Sequence, residues 1–280
     1  MDDKHYLDYL EKGYTNQGFV KAYEAIWQRK YPEILKINGL PIHFDPNAKK
    51  ILVALSGGAD SSMLTYMLCK LIEREKLETK IYCYTMVRFW KEKPWLEPMS
   101  TDVYNWLKNK FPNIIMHQHI GFLPPVFETV PLGNLGIKTM LPPMANCDVL
   151  VSVEYQTYLL ESKGYEWVYS GTTMNPPLDT TDQPKFRDEK VIKDNWSWVI
   201  DGPSVNPFGL LRKNYTMAQY INYDLDELLQ LTRSCEGDAQ LFGDEYRHNG
   251  KYPPECGFCF FCEEKHWGLE NSKGFLLENL

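Results

Sequence analysis

Five apolar residues in a row, Ile51-Leu52-Val53-Ala54-Leu55, open the first clearly patterned part of the chain. Such a run fits a strand buried on both faces of a parallel sheet. The period then changes. Met63, Leu64, Met67, Leu68, Leu71 and Ile72 recur at helical spacing. Lys80-Ile81-Tyr82-Cys83-Tyr84-Thr85 follows as a second strand, which completes a strand–helix–strand unit. A helix over 102–110, a strand over 114–117, a helix over 149–162 and a strand over 166–170 continue the alternation. Serial β–α units of this kind predict an α/β fold, a doubly wound and mostly parallel sheet with right-handed crossovers.

The first 48 residues read as an extension. Phe19, Ala22, Tyr23 and Ile26 share one face of a predicted helix over 19–29. Asn38-Gly39 between Ile37 and Leu40 predicts a tight turn joining two short strands, because Asn-Gly accepts the positive φ such turns require. The extension is expected to pack on the main domain and carries no candidate chemistry. Residues 123–143 are rich in Pro and Gly and residues 175–184 in Pro, and both read as loops. In an open α/β sheet, loops near strand carboxyl ends are where ligands bind. After Met217 the chain reads as helices ending in a cysteine cluster. The expected organisation is an extension over 1–48, an α/β domain over 49–216, and a small helical region over 217–280.

Composition narrows the class. Of 280 residues, 44% are hydrophobic and 24% charged, which excludes a disordered or fibrous chain. The formal net charge of −7 counts against a broad nucleic-acid-binding surface. No apolar run approaches the roughly 18 residues of a membrane helix. The charged start MDDKHYLDYLEKGY lacks the apolar stretch of a secretory leader, so a cytoplasmic location is expected.

Candidate chemistry begins at Ser56-Gly57-Gly58-Ala59-Asp60-Ser61, between the buried strand and the amphipathic helix. Two adjacent glycines let the backbone turn sharply and bring N–H groups close to a ligand. The helix N-terminus behind them favours an anion, and Ser56 and Ser61 add hydroxyl donors. A plain turn would not require two serines and an aspartate. A dinucleotide fingerprint wants a third glycine, and a Walker loop wants Gly-Lys-Ser/Thr. Neither is present, which leaves S-G-G-x-D-S as a phosphate or pyrophosphate cradle.

That loop resembles the pyrophosphate loop of the PP-loop ATP pyrophosphatases. The superfamily includes GMP, NAD and asparagine synthetases, argininosuccinate synthase, tRNA thiolation enzymes and 7-cyano-7-deazaguanine synthase. The resemblance implies cleavage of ATP between its α- and β-phosphates, with Mg2+, to adenylate a substrate oxygen. It implies nucleotide binding by Leu55, Ser56, Gly57, Gly58, Ala59, Asp60, Ser61, Ser62 and Gly171. Gly57 and Gly58 N–H groups with the Ser56 and Ser61 hydroxyls would hold the leaving pyrophosphate. Asp60 would hold Mg2+ or fix the loop. Asp60 and Ser61 thus become catalytic candidates, since stabilising charge on pyrophosphate is the catalytic term.

The seven cysteines fall in two groups. Cys69, Cys83 and Cys147 stand among apolar residues and read as small buried hydrophobes. Cys235 and the run Cys256-x-x-Cys259-x-x-Cys262 offer four thiols suited to tetrahedral Zn2+ in a closed structural site. An iron–sulfur cluster is the competing reading. His266 lies downstream, where four cysteines already complete a shell.

Here the resemblance narrows to the 7-cyano-7-deazaguanine synthases, over roughly residues 50–270. Thr232-Arg233-Ser234-Cys235 is similar to their Thr-x-Ser-Cys segment, and the C-x-x-C-x-x-C run follows after an insertion over 238–252. Asn206-Pro207-Phe208-Gly209-Leu210-Leu211-Arg212-Lys213 is similar to their Pro-containing loop with a Lys before a helix. Lys213 thereby becomes a third catalytic candidate, a cation for ATP phosphates; the plainer reading is a solvated lysine at a helix start. The chain departs where the family reads the deazaguanine. Gly171-Thr172-Thr173-Met174-Asn175-Pro176-Pro177-Leu178-Asp179, continuing to Phe186-Arg187, lacks the Asp-Cys-Arg, and Ala145 stands where the family has Arg before Asn146.

The resemblance implies a carbon–nitrogen ligase that converts 7-carboxy-7-deazaguanine to its amide and nitrile with ammonia, in 7-deazaguanine (queuosine-type) biosynthesis. The alternatives are a tRNA thiolation enzyme, an amide ligase on another acid, and a non-enzymatic nucleotide-binding module. The expected partners are a deazapurine acid and ammonia, supplied free or by another protein, with no membrane and no stably bound nucleic acid. The family resemblance implies a homodimer. Trp90, Trp95, Trp196 and Trp198 could stack a purine, although packing is the commoner role.

Overall fold

A computed structural model describes residues 34–37, 40–87, 96–122, 156, 158–177, 187, 200–201, 203–235 and 255–275. The predicted helix over 19–29, the loop over 123–143, Cys147, the four tryptophans above and the insertion over 238–252 lie outside the described residues.

The α/β class is the one expected from the sequence. Six strands form one sheet, in the order β5 (Ile115–Phe122), β4 (Lys80–Val87), β3 (Lys50–Ala54), β6 (Trp167–Tyr169), β8 (Ser204–Val205), β7 (Ile200–Asp201). All neighbours are parallel except β7 and β8, which close one edge as an antiparallel pair. The chain steps outward from β3 to β4 and β5, then returns to the other side of β3 as β6. The direction of winding therefore reverses between β3 and β6. In such sheets the crevice at that reversal, at the strand carboxyl ends, is the natural ligand site.

Alternation along β3 explains why its five-residue run is apolar throughout. Ile51 and Val53 join the core beneath α1 (Ala59–Glu75) and α2 (Leu96–Lys110). Leu52 joins a second, smaller cluster with Tyr84, Leu159, Tyr165 and Val168 on the opposite face. Helical residues 158–163 cover that face. Burying both faces is what a strand of Ile, Leu and Val at the centre of a parallel sheet requires.

The two short strands predicted on either side of Asn38-Gly39 are present, and those two residues lie outside the described residues. β1 (Ile34–Ile37) and β2 (Leu40–His43) pair antiparallel with Ile37 opposite Leu40. This hairpin belongs to the main core, as expected: Leu40, Ile42 and Phe44 are buried there. Phe44 stacks on Tyr169 at 5.9 Å, and the Tyr169 hydroxyl donates to the His43 carbonyl at 3.1 Å.

Three elements differ from their predicted limits. α2 begins at Leu96, six residues ahead of the pattern's first turn at 102. β5 runs on to Phe122, through His117, Gln118 and His119, whose polarity hid it. A register shift between Ile81 and Cys83 accompanies a buried Gln118, which donates to the Thr85 and Ser100 hydroxyls. The cysteine run does not end a helix; it leads into one, α5 (Phe260–Glu270), on which Cys262 lies. Before it stand α3 (Lys213–Asn222) and α4 (Asp226–Leu231). Among the described residues no helix is long and apolar enough to cross a membrane.

Candidate functional site

The glycine-rich loop leaves β3 and enters α1 with Gly58 as N-cap. Gly57 has φ +74°, and a Cβ there would lie 2.9 Å from the Ser100 backbone N. Both the left-handed conformation and the close approach exclude a side chain. The loop then closes on itself. Ser56 N–H donates to Ser61 Oγ at 3.2 Å, the two hydroxyls lie 3.0 Å apart, and Ser61 and Ser62 hydroxyls donate to the Gly58 carbonyl at 3.1 and 2.8 Å. By helix geometry the N–H groups of the first turn have no intrahelical acceptor, which makes this end an anion site.

Gly171 follows β6, across the winding reversal from the loop. A Cβ at Gly171 would lie 2.9 Å from the Asp60 carbonyl oxygen. Only a glycine lets the two loops at the sheet's carboxyl edge meet this closely.

Asp60, in the first turn of α1, anchors a closed ring of buried polar groups. Lys213 Nζ donates to Asp60 Oδ2 and lies 3.5 Å from Glu264 Oε2. Arg187 pairs with Glu264 Oε1 and donates from Nη2 to the Thr173 hydroxyl at 3.1 Å. That hydroxyl donates back to Asp60 Oδ2 at 3.3 Å. Thr216 donates to Asp60 Oδ1 at 2.8 Å, from the same face of α3 as Lys213. Side-chain exposures are 12% for Asp60, 3% for Lys213, 5% for Arg187 and 0% for Glu264. Two cations alternate with two carboxylates, the arrangement that lets charges stay buried. The Arg187 guanidinium also lies 5.6 Å from the Phe260 ring centroid. Below the ring, Tyr220 donates to the Ala59 carbonyl at 2.8 Å; burial, and next the Asp60 charge, hold its phenol well above its ordinary pKa.

A cavity of about 270 Å3 opens at this point, lined by the loop, Gly171, Thr172 and the ring. Of the residues expected to bind nucleotide or act on it, Ser56, Gly58, Ala59, Asp60, Ser61, Gly171 and Lys213 line it. Leu55, Gly57 and Ser62 are not part of the lining: Leu55 and Ser62 are fully buried, and the Gly57 carbonyl accepts the Arg233 N–H at 3.0 Å. Lys213 is buried and ion-paired, so the solvated-lysine reading does not hold.

Six further residues contribute to the cavity wall without a role read from the sequence: Thr172, Arg187, Arg233, Ser234, Phe261 and Glu264. Ser234 Oγ accepts the Ala59 N–H at 3.4 Å, directly at the start of α1. The signal for three of them was adjacency to the cysteines. Arg233-Ser234 immediately precedes Cys235, and Glu264 follows Cys262 by two positions.

Cys235, Cys256, Cys259 and Cys262 come together as predicted, with all four Sγ atoms within 4.8 Å of one another. Sulfur separations of 3.5 Å (Cys259–Cys262), 3.9 Å (Cys256–Cys262) and 4.0 Å (Cys235–Cys259) leave room for one ion among them. The Cys256 and Cys259 N–H groups donate to Sγ of Cys235 and Cys256 at 3.4 and 3.3 Å, as peptide groups do around metal thiolates. Hydrogen bonds to Cys235 and Cys259 hold the Cys262 thiol far above its ordinary pKa in the metal-free cluster. Cys69 and Cys83 are the buried apolar residues expected of them, and burial pushes the Cys83 thiol up to about 12.

No sequence profile of a known protein family matches the chain. No curated protein is similar enough to match it. Solved structures do resemble it. The U34-tRNA thiolase NcsA from Methanococcus maripaludis, solved with its 4Fe–4S cluster, is 13% identical, with a TM-score of 0.40 over 91% of this chain and 79% of that one. The NMN synthetase from Francisella tularensis is 11% identical, with a TM-score of 0.42 over 100% of this chain and 98% of that one. The NAD+ synthetase from Burkholderia pseudomallei is 14% identical, with a TM-score of 0.42 over 98% and 87%. Likenesses of this size carry no residue role or substrate to this chain.

Proposed function

We propose that the chain is an ATP pyrophosphatase-type carbon–nitrogen ligase that adenylates a carboxylate and passes it to ammonia. The observation that carries this reading is the S-G-G-x-D-S loop at the β3/β6 reversal, closed by Gly171 and backed by the buried Lys213–Asp60 pair. The cavity of about 270 Å3 is slightly below the range of whole-ligand pockets, roughly 300–1,000 Å3, and suits the phosphate end of a nucleotide. Ser56 and Ser61 and the first-turn N–H groups receive pyrophosphate as it leaves, and Lys213 and Arg233 supply positive charge. Asp60 accepts from Lys213, Thr173 and Thr216, which supports its role as the residue that fixes the loop rather than as a Mg2+ ligand. Mg2+ then travels with ATP and offsets phosphate charge.

In the reaction, a carboxylate oxygen attacks the α-phosphorus and pyrophosphate departs. Ammonia attacks the acyl-adenylate and expels AMP, giving the amide. A second ATP adenylates the amide oxygen, and loss of AMP and a proton gives the nitrile. The acid best supported by the Thr-x-Ser-Cys and C-x-x-C-x-x-C segments is 7-carboxy-7-deazaguanine. For the cysteines, thiolates about one tetrahedral Zn2+ stand about 3.8 Å apart given Zn–S bonds near 2.3 Å. Three of the sulfur separations, at 3.5–4.0 Å, lie close to that spacing, and all four sulfurs stay within 4.8 Å of one another. A four-iron cluster would hold its cysteines farther apart. Zn2+ there is structural and joins two chain segments.

The test is mass spectrometry of protein, ATP, Mg2+, ammonium and 7-carboxy-7-deazaguanine. Nitrile with AMP is the expected result. Amide alone would keep the chemistry and stop it halfway. AMP without a modified deazaguanine would redirect the search to another acid or a tRNA. No AMP from folded, metal-loaded protein, with this acid or any other acid tried, would end the ligase reading.

A further inference from the structure

We infer that the four-cysteine centre and the anion cavity are one thermodynamic unit: metal binding builds the anion site, and an anion in the cavity tightens the metal. The inference rests on the phosphate-binding reading of the cavity and not on the identity of the acid.

Both ends of the cysteine cluster run directly into the cavity wall. On one side, Arg233 and Ser234 precede Cys235 and line the cavity. The Arg233 N–H donates to the Gly57 carbonyl at 3.0 Å, and Ser234 Oγ accepts from Ala59 N–H at 3.4 Å. On the other side, Phe261 and Glu264 flank Cys262 and also line the cavity. Glu264 contacts Arg187 and Lys213, and Lys213 reaches Asp60 of the loop. The sulfur cluster is where the two segments meet.

Charge points the same way. The lining contains three cations, Lys213, Arg187 and Arg233, against two carboxylates, Asp60 and Glu264. Four of these five charges close the ring described above. The fifth, Arg233, sits two residues from Cys235. A thiol cluster without a cation has only weak hydrogen bonds to and from sulfur to hold it. A metal ion adds four coordinate bonds, fixing the backbone that delivers Arg233, Ser234 and Glu264. Any ligand that uses those residues must then favour the metal-bound form, and linkage requires the converse by the same factor.

The experiment measures both directions on the full chain. Zn2+ affinity is read by competition with a chromophoric chelator, with and without saturating inorganic pyrophosphate. Pyrophosphate affinity is read by calorimetry on loaded and stripped protein. Pyrophosphate is expected to tighten Zn2+ at least about five-fold, the lower end of ordinary site–site coupling, and Zn2+ to tighten pyrophosphate equally. Should stripped protein unfold, Ser234→Ala and Glu264→Gln keep all four cysteines and serve instead. Each is expected to load Zn2+ fully while the pyrophosphate-dependent increment shrinks toward one. A Zn2+ affinity unmoved by bound pyrophosphate overturns the coupling and leaves the proposed function standing. A full increment in both variants overturns it too. Failure of loaded wild-type protein to bind pyrophosphate overturns the proposed function and the coupling together.

Discussion

The Lys213 ammonium donates to the Asp60 carboxylate across 153 positions of chain, and the lysine side chain is 3% exposed. This contact joins α3 to the first turn of α1, which makes the loop's position depend on a buried charge pair. Asp60→Ala is expected to fold, since Glu264 remains beside Lys213. It should lose AMP formation by about 100-fold or more, the scale of losing one preorganised group at a developing charge. Wild-type turnover in this variant would remove Asp60 from the mechanism.

Gly57→Ala and Gly171→Ala should both damage the loop, for different reasons. At Gly57 a left-handed φ of +74° costs about 1–2 kcal/mol for a residue with a Cβ. The clash with Ser100 adds to that cost. At Gly171 the cost is steric alone, because the added carbon meets the Asp60 backbone at 2.9 Å. Pyrophosphate affinity is the readout, and both variants should weaken it while circular dichroism stays native. Tight binding by Gly171→Ala would mean that the two loops can separate freely.

Glu264→Ala leaves two buried cations, Arg187 and Lys213, sharing one carboxylate, Asp60. Breaking a buried pair this way costs about 3–5 kcal/mol. Urea unfolding should show a midpoint shift with little change in slope. A shift of less than about 1 kcal/mol, a surface-pair value, would show that water enters the ring.

Cys259→Ser should leave the protein with less than one bound metal, measured by elemental analysis, and lower its melting temperature, since metal binding energy is folding energy here. Zinc at one equivalent is the expected wild-type result. Iron with acid-labile sulfide would replace the zinc assignment by a cluster.

Acid should destabilise the fold through two histidines. Burial is the main cause that lowers the pKa of both His43 and His119 from about 6.5, aided at His119 by His117 and Lys163. The folded chain therefore binds fewer protons than the unfolded chain below that value. Their contribution is complete above about pH 6.5 and is lost as pH falls through the lowered folded values. His43→Phe should flatten melting temperature against pH between 6.5 and 5. An unchanged slope would assign the acid sensitivity elsewhere.

The sheet was legible because its strands are buried on both faces and its helices on one, so period and run length report them directly. The β1–β2 pair was legible for an equally local reason, the Asn-Gly between its strands. β5 was cut short because Gln118 is buried through two hydroxyls supplied by other elements, which a strand pattern does not display. The loop and the four cysteines were legible because their residues lie close in sequence or at ligand spacing. Arg187, Arg233 and Glu264 were not, because each has a partner more than 50 positions away: Arg187 pairs with Glu264, Glu264 with Lys213, and the Arg233 N–H with the Gly57 carbonyl. Contiguity with the motif nominated Leu55 and Ser62 as well; their side chains are fully buried and are not part of the cavity lining.

The Arg233 N–H to Gly57 carbonyl bond and the Ala59 N–H to Ser234 bond, the latter spanning 175 positions, also set a timetable. Contacts of such separation form late, because a large loop must close before either bond is gained. On a ribosome the first βαβ unit can pair and bury its core while the segment carrying Arg233 is still unmade. The nucleotide loop thus exists early as a turn and becomes a finished anion site only when the last fifth or so of the chain has emerged. If the loop serves ATP as proposed, a nascent chain would engage it only after those residues have been synthesised.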